Sequence, residues 1–167
     1  MKKITFLLLS LTFILTACEG DPGPPGPPGS SGQNGVNFVG QSFEVNLDFT
    51  SSNNYAETVE IPLDIDLYES DMVLVYRLVD VVDGYDVWKS LPETVYVNDT
   101  EEFQYNFEHN FDFVTIFIES HPTFDYNLVL DDERINQIFR VVVLPVDLIN
   151  SNDIDINNYG EVMNYVE

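Results

Sequence analysis

The sequence predicts an all-β protein whose folded part, residues 38–167, is an antiparallel β-sandwich of about nine strands. Three observations lead there. Apolar and polar residues alternate with period two through most of this stretch. Turn-forming clusters recur between the alternating runs. Helix formers are scarce, with two alanines in the chain beside 12 Phe and 9 Tyr.

The elements follow in order. Phe43, Val45, Leu47 and Phe49 point one way and Glu44, Asn46, Asp48 and Thr50 the other, the pattern of a half-buried strand. Val59, Ile61, Leu63, Ile65 and Leu67 repeat it, and Pro62, which has no N–H for a ladder, assigns that strand to a sheet edge. Met72 to Val82 is almost continuously apolar, as expected of a strand covered on both faces, and Asp83-Gly84 supplies a two-residue hairpin turn into Tyr85–Trp88. Further strands are expected at Thr94–Val97, Glu102–Phe107, Phe111–Glu119, Tyr126–Leu130 and Ile138–Leu144. Asn98-Asp99, His109-Asn110 and Pro122 punctuate them. Asp131–Gln137 reads as a single turn or short helix, and Asp147–Glu167 as a last strand or a loose tail.

Charge excludes whole classes of partner. Against 29 Asp and Glu stand 6 Lys and Arg, a net charge of −23. Nucleic acid and anionic lipid surfaces are recognised by clustered cations, so nucleic acid is not an expected partner. Disorder is equally excluded, because 44% of the residues are hydrophobic, enough to offset the entropy of ordering. One cysteine allows no intrachain disulfide.

The N-terminus reads as an address. Lys2 and Lys3 precede an apolar run from Ile4 to Ile14 and a small-residue exit, so residues 1–17 have the pattern of a secretory signal peptide. The run is shorter than the ~20 residues a membrane-spanning helix needs. From Gly20 the chain repeats Gly-x-y six times, with Gly20, Gly23, Gly26, Gly29, Gly32 and Gly35 in strict phase and five of the nine prolines between them. This is the collagen period, in which only glycine fits at the axis of three polyproline-like chains. Two readings of residues 18–37 stay open: a trimeric stalk, making the protein a homotrimer, or a stiff single-chain spacer.

Leu15-Thr16-Ala17-Cys18 resembles the lipobox of bacterial lipoproteins, in which the cysteine is acylated and becomes the new N-terminus. That resemblance implies a lipid on Cys18 and a membrane as partner through it. Two or three acyl chains, at ~0.8 kcal/mol per buried methylene, make such an anchor effectively permanent. With the Gly-x-y run and a β-rich remainder, the layout is similar to small Bacteroidota lipoproteins, which implies an outer-membrane lipoprotein on the cell surface or the periplasmic face. Glu19 and Asp21 faintly resemble the acidic surface-export signals of that group.

Catalytic chemistry is thinly supplied. The two histidines, His109 and His121, sit in expected turns, and there is no Gly-x-Gly-x-x-Gly, phosphate loop or Cys-x-x-Cys. No cofactor or metal ligand set is assigned. Asp153, Asp155 and Asn157 alternate like calcium ligands, but Asn158 stands where that loop needs Gly and Asn164 where it needs Glu. Arg77 and Arg140 lie within apolar strands and require carboxylate partners. The chain is therefore read as a non-enzymatic lipoprotein with a binding or structural role in the envelope. A calcium-dependent adhesion or carbohydrate-binding module is the alternative.

Overall fold

The computed structural model describes residues 39–167. Cys18, the six stalk glycines and the signal segment lie outside the described residues. Eight strands form in chain order: β1 Gln41–Leu47, β2 Ala56–Glu60, β3 Met72–Val82, β4 Tyr85–Ser90, β5 Glu93–Tyr96, β6 Glu102–His109, β7 Phe113–Glu119 and β8 Gln137–Leu144. They make two antiparallel sheets of four, ordered β1-β8-β3-β4 and β2-β7-β6-β5. The architecture is the sandwich the alternation predicts. Its pairing is nested, first strand with last and second with next-to-last.

Period-two alternation explains the core directly. Val73 and Val75 of β3, Phe139, Val141 and Val143 of β8, and Phe103, Tyr105, Val114, Ile116 and Ile118 from the second sheet all turn inward and are buried. Phe49, Tyr105 and Phe139 meet edge to face at its centre, with ring centroids 5.8–5.9 Å apart. This is the favoured arrangement of aromatic quadrupoles.

Four departures from the expected elements have local causes. The second strand stops at Glu60 because Pro62 cannot continue a ladder, and Ile61 N–H instead bonds Asp112 O at 2.8 Å. β2 is nonetheless an edge strand, as expected, although Pro62 itself lies outside it. Tyr126–Leu130 is no strand: Tyr126–Leu128 is a 3₁₀ turn, since Asp125 Oδ1 captures the Asn127 N–H at 3.0 Å and holds the chain in a turn. The strand count is thereby eight. β3 is covered on both faces only up to Arg77, its last residue paired with β8. Beyond it β3 and β4 form a two-stranded ribbon exposing Val79, Val81, Val82, Tyr85 and Val87, with a bulge between Leu78 and Asp80. Asp83 and Gly84, at φ 53° and 83°, close it with the positive-φ pair that matches strand twist.

The fourth departure is the C-terminal segment, which is neither strand nor tail. After the short helix α1 (Asp131–Arg134), it forms α2 (Val146–Asn152), α3 (Tyr159–Met163) and an isolated parallel bridge between Val166 and Gly40. The outer face of the first sheet demands it: Tyr76, Val142 and Leu144 alternate out of the main core and need cover. Leu148, Ile154 and Val162 bury against them as a second core.

Gly40 is where the chain enters the sandwich, donating to Tyr165 O at 2.7 Å and accepting from Glu167 N–H at 3.0 Å. A Cβ there would lie 2.6 Å from the Cδ2 of fully buried Leu144, 3.0 Å from Val166 Cγ2 and 3.2 Å from Tyr165 O. Gly40→Val is expected to cost about 1–3 kcal/mol by overpacking, seen as a fall of roughly 4–10 °C in the thermal melt followed by circular dichroism.

Candidate functional site

Chemistry-bearing side chains gather in three places. The first is a clamp between the sheets. Arg77 on β3 faces inward, and β5 brings Glu93 opposite it: Nε to Oε2 is 2.7 Å and Nη2 to Oε1 is 2.9 Å, a two-pronged pair. Arg77 Nη1 donates to Gln137 Oε1 at 2.9 Å, and Gln137 Nε2 donates to the carbonyls of Asp132 and Ile135. Lys89 Nζ approaches Glu93 Oε1 at 3.3 Å. The guanidinium carbon lies 4.6 Å from the Tyr105 ring centroid, and the Tyr105 hydroxyl donates to Glu133 O. Glu93 is only 4% exposed. Burial alone would raise its carboxyl, but the hydrogen bonds and charge of Arg77, with Lys89, outweigh that and hold it below the usual range.

The second cluster lies on the outer face of the first sheet. Register places Arg140 between Glu44 on β1 and Tyr76 on β3. Its Nε donates to Glu44 Oε1 at 3.0 Å, its guanidinium carbon lies 4.1 Å from the Trp88 centroid, and it donates to the Tyr159 hydroxyl. Trp88 and Tyr159 stack at 6.2 Å with an interplanar angle of 23°. The cluster thus rivets α3 to the sheet. Burial, and secondarily the neighbouring Tyr159, pushes the Tyr76 hydroxyl up to about 12. Both strand arginines have the carboxylate partners their sequence positions require.

The third place is the pair of loop ends. Ile61 N–H on Asp112 O and Gln41 Nε2 on Asp64 O, at 3.4 Å, put residues 61–71, residues 110–112 and Gly40 at one end. Two clefts open there, of about 270 and 210 Å³, and Phe111 lines both. Leu63, Tyr68 and Phe111 are 94%, 66% and 57% exposed. A third cleft of about 290 Å³, flanked by Glu102, Glu119 and His121, lies between β5, β6 and the end of β7.

No family model, curated protein or solved structure matches this chain. The site therefore rests on its own residues. His121 Nε2 and Glu101 Oε2 are 2.9 Å apart, with Nδ1 3.1 Å from Thr123 Oγ1, a loop-tying role. His109 ends β6 instead of occupying a turn, and lines the smaller cleft. Asp153 is the left-handed residue closing α2, and Asp155 Oδ1 accepts from Asn157 N–H at 3.0 Å. The alternating acids of this segment are thus turn residues. Asp131 pairs with Arg134 within α1. Among the described residues no three His, Cys, Asp or Glu side chains converge as metal ligands.

Sequence reasoning missed the exposed apolar end. Alternation carried past Pro62 assigns Leu63 inward, whereas the chain turns there and leaves it outside. The signal that finds it is the proline itself, which ends the period.

Proposed function

We propose that this chain is a non-enzymatic lipoprotein anchored in the outer membrane through acylated Cys18, with residues 18–37 as a collagen-like stalk. It displays the acidic sandwich as a binding or structural module of the cell envelope. The observation that carries the reading is Leu15-Thr16-Ala17-Cys18 at the end of an apolar run, holding the single cysteine of the chain. A lipid gives that thiol a use in an oxidising compartment. The fold is consistent with display. All four cations of residues 39–167 are held in ion pairs, Arg77 and Lys89 with Glu93, Arg134 with Asp131 and Arg140 with Glu44. The surplus is then 27 − 4 = 23 acidic charges, and a coat of this kind keeps a tethered domain solvated and apart from anionic headgroups.

Labelling growing cells with a radioactive fatty acid tests the anchor. Label is expected in the wild-type protein and absent from Cys18→Ala, which should leave the membrane fraction. Label persisting in Cys18→Ala would overturn the assignment.

A further inference from the structure

We infer that the end of the sandwich where the chain enters is the contact surface between three copies of this protein, each seating Leu63 in the Phe111-lined cleft of its neighbour. This rests on the collagen-like reading of residues 20–37 and names what that reading leaves open, the part of the domain that takes part in assembly.

Two independent observations converge. The first is where the Gly-x-y run stops. Asn37 ends the sixth triplet, and Phe38 and Val39 alone separate it from Gly40. Three residue steps span at most about 10 Å. Three chains wound around one axis would therefore deliver their Gly40 residues on short leashes, bringing residues 61–71 and 110–112 of the copies face to face. The second is what those segments carry. Leu63 is 94% exposed, and Tyr68 and Phe111 are more than half exposed. Nothing in residues 39–167 covers them. A single-chain spacer leaves this apolar surface in water, whereas a triple helix supplies its cover.

The surface has both halves of a contact. Leu63 projects as a knob from the wall of the cleft of about 270 Å³, and the cleft of about 210 Å³, lined by Tyr68, His109 and Phe111 but not by Leu63, is the seat. Knob and cleft are different patches, so the interface is head to tail, and under threefold symmetry it closes into a ring with no patch left over. The same end also carries Asp64, Asp66, Glu69, Asp71 and Asp112. Those acids repel one another across the axis. Association should thus strengthen as salt rises and the screening length shortens, the reverse of an ion-paired interface.

The experiment uses the full lipidated chain in phosphatidylethanolamine vesicles. Because acylation occupies Cys18, Leu63→Cys/Tyr68→Cys supplies the reactive thiols, and Tyr85→Cys at the far ribbon tip is the control. Brief oxidation of the double variant should give a ladder ending at three copies, in yield at least about tenfold above the control. It should rise between 0.05 and 0.5 M salt. Sedimentation of detergent-extracted wild type reads the stalk separately. A wild-type trimer in which the residue 63 and 68 thiols cross-link no more than the control overturns this inference and leaves the stalk standing. A wild-type monomer overturns both, and a ladder running past three copies overturns the closed ring.

Discussion

Glu93→Ala is expected to destabilise the sandwich by about 3–5 kcal/mol, the scale on which removing one partner of a buried ion pair strands the other. The reason lies in what Arg77 loses. Its side chain is 12% exposed, and its guanidinium donates twice to Glu93 and once to Gln137, with no other carboxylate in its ion pair. Urea unfolding at neutral pH should show the loss as a lower midpoint with an unchanged slope. Arg77→Met combined with Glu93→Leu should recover part of it, since the only charge left without its partner is the solvent-exposed Lys89, but Gln137 Oε1 still loses its donor. The cycle of Arg77→Met, Glu93→Leu and their double variant isolates the coupling. An effect below about 1 kcal/mol for Glu93→Ala would mean that the clamp is a bystander.

The clamp also sets a pH dependence. Arg77 holds the Glu93 carboxyl below its ordinary range in the folded protein. The unfolded chain therefore binds this proton first as pH falls, so the contribution is complete above the ordinary carboxylate range and disappears as pH falls through the lower folded value. The stability gap between wild type and Glu93→Ala should be flat from about pH 6 to 8 and close progressively below about pH 4. A gap that widens in acid would contradict the sign.

Phe139→Ala is the other large effect, expected at about 3–5 kcal/mol. Phe139 is fully buried, and its ring meets Phe49 and Tyr105 edge to face. It also sits on β8, the strand that pairs with both β1 and β3, so the cavity opens where neither sheet can collapse inward without breaking the ladder. Phe139→Leu should recover more than half of the loss, since it refills volume without restoring the aromatic contacts. Thermal melts of the three proteins give the comparison, with a fall of roughly 10–20 °C for alanine.

What was legible in the sequence was whatever repeats locally. Phe43 to Leu47 alternates strictly and Phe139 to Val143 is apolar but for Arg140, and both are strands with inward Val45 or Val141. Asp83-Gly84 is the ribbon turn because its φ requirement is written in the residues themselves. Nesting of β1 on β8 was illegible, since partners lie about a hundred residues apart and nothing within either strand names the other. The 3₁₀ turn at Tyr126 was hidden because aromatic residues that favour strands were overruled by the Asp125 side chain. The C-terminal cover was hidden differently: Leu148, Ile154 and Val162 are spaced without a period, each anchoring its own short turn.

The candidate site divides the same way. That Arg77 and Arg140 need carboxylates follows from a charge set in an apolar strand. Which of 27 acids answers depends on register, and only the fold chooses Glu93 and Glu44. Leu63 is outside because the period breaks at Pro62, a change of direction that alternation cannot show.

Gly40 and Glu167 share a hydrogen bond at 3.0 Å, so the first and last residues of the sandwich stand side by side. Proteins whose ends meet tolerate being recut. A short Gly-Ser bridge could close residues 40 and 167 into a loop, and a new start could be opened at Asp83-Gly84, where Gly84 has nothing within 4 Å of the position its Cβ would take. Both sheets would persist, but an anchor attached at the new start would leave from the ribbon tip. The chain would then enter the domain at the end of β3 away from Met72, whose β8 partner Leu144 packs beside Gly40, so entry point and ribbon tip would exchange places.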